Sequence, residues 1–213
     1  MQPTLRPLAA ALTALVLSPA AMAQDWIFKV GVSRYDTHSK TTGISGIGIP
    51  PGADAQVGDA TTVIFVLDRV LTPNLCAELV LGVPPRIHAR ATGSVAFLGS
   101  DILSAKNWAP TALINYHFGD PGQALRPYVG IGVNYTSFRS IRSSLAPKVE
   151  MSDSVGLAVQ AGLSYALNKQ LGLFASVARV EVKSDLVATA STVLTTTIDF
   201  RPVIFSAGLS YKF

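Results

Sequence analysis

One cysteine and three histidines are all that 213 residues provide, and each scarcity removes a class of explanation. A lone Cys76 cannot form an internal disulfide, the staple on which small exported domains usually depend. His38, His88 and His117 are too dispersed to form a metal set with Cys76, and none sits in a stretch that couples a base to a nucleophilic serine. Catalysis, metals and cofactors are therefore not expected. Charge is scarce as well: 14% of residues are charged, against about a quarter in an average soluble domain. The formal net charge of +4 is scattered and forms no stripe, so nucleic acid is not an expected partner. Beyond the N-terminus no apolar run approaches the roughly 18 to 20 residues of a membrane helix. Yet 49% of the chain is hydrophobic. That surplus requires either a large buried core or a barrel with a lipid-facing exterior, and the length suits one domain.

The first residues read as a targeting segment. Arg6 precedes an apolar stretch over 8–17, and Ala21, Met22 and Ala23 supply small residues at a cleavage position. The expectation is a cleaved signal peptide over 1–23 and a single domain over 24–213.

Period-two alternation dominates the rest of the chain, in segments of about ten residues separated by turn residues, the pattern of a membrane barrel. Over 25–35, Trp26, Phe28, Val30 and Val32 oppose Lys29, Gly31 and Ser33. Over 61–70, Val63, Phe65 and Leu67 oppose Thr62, Ile64, Val66 and Asp68. Over 75–83, Leu75, Ala77, Leu79 and Leu81 oppose Cys76, Glu78, Val80 and Gly82. Over 108–118, Ile114, Tyr116 and Phe118 oppose Leu113, Asn115 and His117. Runs over 126–138 and 154–167 alternate in the same way. A seventh, over 171–183, suggests that Arg179, Glu181 and Lys183 face inward together. An eighth, over 196–213, puts Tyr211 and Phe213 outward and Lys212 inward.

Eight strands, with long connections over 36–60, 84–107, 139–153 and 184–195 alternating with tight turns, predict an all-β fold. It is an eight-stranded antiparallel transmembrane barrel of a Gram-negative outer membrane, with both termini on the short-turn, periplasmic side. Trp26, Phe28, Tyr116, Phe118, Tyr165, Tyr211 and Phe213 would form one aromatic membrane girdle near that end. Expected neighbours are outer-membrane lipid and lipopolysaccharide, and the insertion machinery engaging the C-terminal strand.

Several stretches resemble the OmpW family of small outer-membrane proteins. They include Asp25-Trp26 with Val30-Gly31, Ala89 to Gly93, Ala109-Pro110-Thr111, Tyr116 to Asp120, and RPYVGIGVNYTSF over 126–138. Ser154-Val155-Gly156, Gln160-Ala161-Gly162, Ile198-Asp199 with Pro202, and the tail 208–213 complete the set in the family's order. Ala109 departs from a proline common at that place. The resemblance implies an eight-stranded barrel for passage of small hydrophobic molecules, with an exit sideways into the bilayer.

An eight-stranded barrel is filled by side chains or holds one small ligand, which argues against a general porin. Toward the turn end the inward positions Lys29, Asp68, Glu78, His117 and Lys212 suggest a cross-linked polar base, since buried charges need partners. Farther up, Ile64, Val66, Val80 and Leu113 line either a dry packed plug or an apolar ligand path. The long connections carry Ile44, Ile47, Ile49, Val95, Phe97, Leu98, Ile102 and Leu103, enough to form a hydrophobic funnel or to pack over the rim. Gly43, Gly46, Gly48 and Gly52 suggest a mobile first connection. The functional alternative is a scaffold that merely holds its loops at the surface for adhesion or as a receptor.

Overall fold

Alternation of this kind folds as β-strand because a pleated backbone sends successive side chains to opposite faces. The computed structural model describes residues 26–44, 49–189 and 193–213. The expected signal segment lies outside them, as do Gly46, Ile47 and Gly48. In chain order the strands are β1 (Trp26–Thr37), β2 (Lys40–Thr41), β3 (Ala53–Val57), β4 (Ala60–Val70) and β5 (Leu75–Gly82). Then come β6 (Arg86–Gly93), β7 (Leu103–Trp108), β8 (Thr111–His117), β9 (Leu125–Ser143) and β10 (Lys148–Met151). The last are β11 (Ser154–Ala166), β12 (Leu171–Val180), β13 (Lys183–Thr189), β14 (Val193–Asp199) and β15 (Pro202–Lys212). Among the described residues no helix is long and apolar enough to cross a membrane, which says nothing of a crossing by strands.

Eight of these strands form the closed antiparallel barrel, in the order β1, β4, β5, β8, β9, β11, β12, β15. Closure comes from β15 returning to β1, in register from Ile27–Lys212 to Thr37–Pro202. Tight turns join the strands at one end. In the turn after β4, Leu71 N–H and Thr72 N–H both donate to Leu75 O, at 2.9 and 3.1 Å.

At the other end the expected loops are largely strands. Upper β9 continues with β7, β6 and β3 as one sheet, while β10, β13, β14 and β2 form a second. These stretches alternate too: Ile87, Ala89 and Ala91 are buried while His88 and Arg90 are exposed. The eighth run, read as one strand over 196–213, is broken at Phe200–Arg201, where Arg201 has φ 41°. Part of the apolar load packs over the far end. Ala53, Ala91, Val95 and Ile102 are buried against Ile44, Ile49 and Leu103, whereas Phe97 and Leu98 are exposed.

Facing follows the alternation on seven of the eight barrel strands. On the other, β12 and its continuation, Arg179, Glu181 and Lys183 are exposed, and Phe174, Val180 and Val182 turn inward instead. The cause is Phe174. Its ring occupies space left by Gly31 and Gly208, where a Cβ on either would crowd it, and that sets the phase of the strand. Leu171, Leu173 and Val177 then join the exposed apolar exterior, as do Val129, Ile131 and Val133 on β9.

Exterior aliphatics make a direct prediction. Ile131 sits midway along an outward run, beside Ile114 and Val159. In vesicles, Ile131→Arg is expected to lower stability by roughly 2–4 kcal/mol, the cost of Arg at mid-bilayer. Val187→Arg, on β13 beyond the barrel, should change it by less than about 0.5 kcal/mol. Equal denaturation midpoints for the two variants would contradict a lipid-facing exterior.

Candidate functional site

The lumen has a floor, and the floor is built on Lys29. Its Nζ lies 2.7 Å from Asp68 Oδ2 and 2.9 Å from Glu78 Oε2, with all three side chains buried. The two carboxylates come together because Asp68 and Glu78 are directly opposed in the β4–β5 ladder. One ammonium shared by two carboxylates, all out of bulk water, gives each carboxylate a charged partner, although Asp68 Oδ1 is left without a hydrogen bond. Gln160 Nε2 extends the network, donating to Glu78 Oε1 at 2.6 Å and Asn115 Oδ1 at 2.8 Å. Two rings complete it: Lys29 Nζ is 5.6 Å from the Tyr128 centroid and 5.4 Å from that of Phe174, within cation–π range.

Of the five residues expected at this base, Lys29, Asp68 and Glu78 are joined directly. His117 is half-buried and packs on Tyr128, with ring centroids 4.9 Å apart. Lys212 makes no bond to them but borders the same turn-side cavity as Lys29, Asp68 and His117. It stands exposed beside the turn-side mouth, because the strand end carries it past the plane of Lys29, which is opposite Ser210.

Gln160, Asn115, Tyr128 and Phe174 were not expected in this floor. A signal for them existed in the glycines. Gly130 lies between Asn115 and Gln160 in register, and a Cβ there would overlap the Asn115 amide and touch Gln160 Cγ at 3.0 Å. Its absence lets the two amides meet. Gly162 likewise yields its space to the Tyr128 ring opposite.

Above the floor the lumen becomes apolar. Ile64, Val66 and Phe174 form one buried cluster against Val80. Leu113 begins a second that climbs through Ala158 and Val180 to Phe138 and Phe200, whose rings stack at 5.2 Å. Polar side chains among them bond to one another. Ser33 and Ser206 share a hydrogen bond of 2.7 Å, and Asn134 Nδ2 donates to Thr111 Oγ1 at 2.8 Å. Between these groups is a cavity of about 80 Å³, open at its mouth and floored by Glu78, Tyr128, Gln160 and Phe174. All four residues expected to line the lumen, Ile64, Val66, Val80 and Leu113, border it.

The wall beside this cavity is interrupted. β4 and β5 are laddered up to Ile64–Gly82, and β3 and β6 resume in the same register at Val57–Ala89. Val83 N–H still reaches Val63 O, and Gly58 N–H reaches His88 O, both at 2.9 Å. Between those bonds no backbone ladder joins residues 59–62 to 84–87. Pro84 and Pro85 fall in this gap and have no N–H to give. A side chain partly spans it, Thr62 Oγ1 donating to Val83 O.

On the outside, Phe28, Tyr116, Phe118, Tyr165, Tyr211 and Phe213 are exposed at the turn end. Trp26 is partly covered there by the Arg69 guanidinium, 5.1 Å from its ring. His38, His88 and His117 remain apart, and among the described residues no group of three His, Cys, Asp or Glu is placed to hold a metal.

The OmpW family model matches residues 23–213. This chain belongs to the OmpW family. It is 29% identical over 192 residues to outer membrane protein AlkL of Ectopseudomonas oleovorans, covering 89% of this chain and 82% of that one. It is 30% identical over 217 residues to outer membrane protein W of Vibrio cholerae, covering 96% of each. The crystal structure of OprG from Pseudomonas aeruginosa shares the fold, with a TM-score of 0.83 at 24% identity, over 90% of this chain and 96% of that one. The protein is thus a barrel of the Gram-negative outer membrane, and by the rule for such barrels its short turns face the periplasm.

The floor is testable by charge deletion. Lys29→Met strands two buried carboxylates and should cost about 3–5 kcal/mol in chemical denaturation. The triple variant Lys29→Met, Asp68→Leu, Glu78→Met should recover most of that loss, since removing all the charges removes the penalty. A single variant as stable as wild type would show that the three groups do not depend on one another.

Proposed function

We propose that this barrel passes small apolar molecules from the cell exterior into the outer membrane. A solute enters at the extracellular end, follows the apolar interior past Phe138 and Phe200, and reaches the cavity bordered by Ile64, Val66, Val80 and Leu113. The floor of Lys29, Asp68, Glu78 and Gln160 blocks the way to the periplasm. Its exit is sideways through the ladder gap at Pro84–Pro85, because a watery exit would disfavour an apolar solute. The observation that carries this reading is the mostly apolar lining of the cavity over a closed polar floor. A wholly packed plug would leave no such apolar-lined space, and a barrel this narrow has room for at most one small ligand. The seven outward aromatics serve as the periplasmic-side membrane girdle.

Uptake of a small apolar solute by intact cells tests the path. Cells carry no copy, the wild-type protein, or the variant Leu113→Lys with Ile64→Lys, at matched outer-membrane levels. Faster uptake with wild type, lost in the variant, is expected. Equal rates in all three would favour a surface scaffold, a role for which exposed Phe97 is suited. The exit is tested separately by Pro84→Val with Pro85→Thr, which returns two N–H donors to the wall. Uptake is expected to fall severalfold while the fold persists; an unchanged rate would count against the sideways exit alone.

A further inference from the structure

β-Pairing gathers basic residues that are far apart along the chain onto one outer face. Arg86 of β6 is opposite Lys106 of β7, and Lys106 is opposite Arg139 of β9. These make one row across three strands. In the next row His88 and Arg142 flank Ser104, and Arg90 of β6 lies beyond it, opposite Gln56. The alternate residues Ile87, Ala89, Ala105 and Phe138 are buried, so the basic set points away from the lumen. Acidic residues near this face are few, and each already has a partner outside the row of Arg86, Lys106 and Arg139. Asp101 is 2.9 Å from His88, Asp54 accepts from Thr41 Oγ1 and Ala55 N–H, and Asp153 accepts from Tyr135 Oη. Among the described residues no carboxylate forms an ion pair with Arg86, Lys106, Arg139 or Arg142.

The height of the row is informative. Trp108 is 51% and Tyr135 40% exposed, just above the aliphatic run Val129, Ile131 and Val133. Aromatics at that position mark the boundary of hydrocarbon and headgroup. Lys106 is two residues beyond Trp108 on the same face, about 7 Å farther out. At that level the ligands available are headgroup phosphates. The sheet on the other flank offers no such face, because its charges alternate in sign. Lys148 pairs with Glu150 at 2.8 Å, and Arg201 with Asp199 at 2.7 Å.

We infer that the face carried by Arg86, Lys106 and Arg139, supported by Arg142 and Arg90, is a binding site for the phosphates of outer-leaflet glycolipid. Guanidinium groups suit phosphate because their planar fork donates two parallel hydrogen bonds. The acyl chains of the same lipid lie against the aliphatic run below, so one molecule spans both surfaces. This inference does not rest on the transport reading.

The test uses the intact barrel in detergent, titrated with bis-phosphorylated lipid A, its dephosphorylated form, or inorganic phosphate, with native mass spectrometry as readout. Arg86→Gln with Lys106→Gln and Arg139→Gln is expected to weaken bis-phosphorylated lipid A binding about tenfold, as for three exposed charge contacts. Arg179→Gln with Lys183→Gln and Arg201→Gln, on the opposite flank, should leave it unchanged. Dephosphorylated lipid should bind wild type no better than the phosphorylated form binds the first variant. Should that variant misfold, Arg86→Lys with Arg139→Lys keeps the charge and must keep most of the affinity, and added salt must weaken wild-type binding. Equal affinity in the two Gln variants, indifference to the lipid's phosphates, or full displacement by equimolar inorganic phosphate would overturn the assignment.

Discussion

Everything in this molecule depends on the pairing of β1 with β15. A bilayer offers no water to an unpaired N–H or C=O, so a sheet that crosses it must have no edge. Once Ile27–Lys212 through Thr37–Pro202 are zipped, every transmembrane strand has two neighbours and one choice remains for each residue, lipid or lumen. The outer choice accounts for the exposed Val, Leu, Ile and Phe that would be a liability on a soluble protein. The inner choice gathers most polar groups where they can bond to one another and apolar groups where they can border a cavity.

The same constraint explains where the lumen is shut and where the wall is weak. A narrow barrel can bring three strands' worth of charge to one point, and Lys29 takes both opposed carboxylates there. Amides and rings reach in only because glycines at 130, 162, 31 and 208 yield the volume. The wall weakens where two consecutive prolines remove donors from the β4–β5 edge. Beyond that height water is available, and the chain can leave single-barrel pairing for two diverging sheets.

Much of the barrel was legible in the sequence, because burial on one face and lipid on the other make period two unavoidable over each span. Strand facing is misleading at Arg179, Glu181 and Lys183, where charge alone points to the lumen. The phase there is set by Phe174 packing over two glycines on other strands, which local alternation does not register. The extracellular strands are hidden because long polar-apolar stretches with Gly and Pro read as loops, and their partners are distant in the chain. The floor was half legible. Its ions were visible, but Gln160 and Asn115 become partners only when Gly130 is known to lie between them. The basic face was wholly hidden, since Arg86, Lys106 and Arg139 are scattered until three strands align.

On this view the lumen above the floor receives an apolar guest. The most direct test is the set of intermolecular nuclear Overhauser contacts between a small apolar solute and methyl-labelled barrel in deuterated lipid. Contacts to the methyls of Ile64, Val66, Val80 and Leu113 are the predicted result. Contacts confined to Val63, Leu67, Ile131 and Val133, on the lipid side of the same strands, would place the solute in the bilayer and contradict the account.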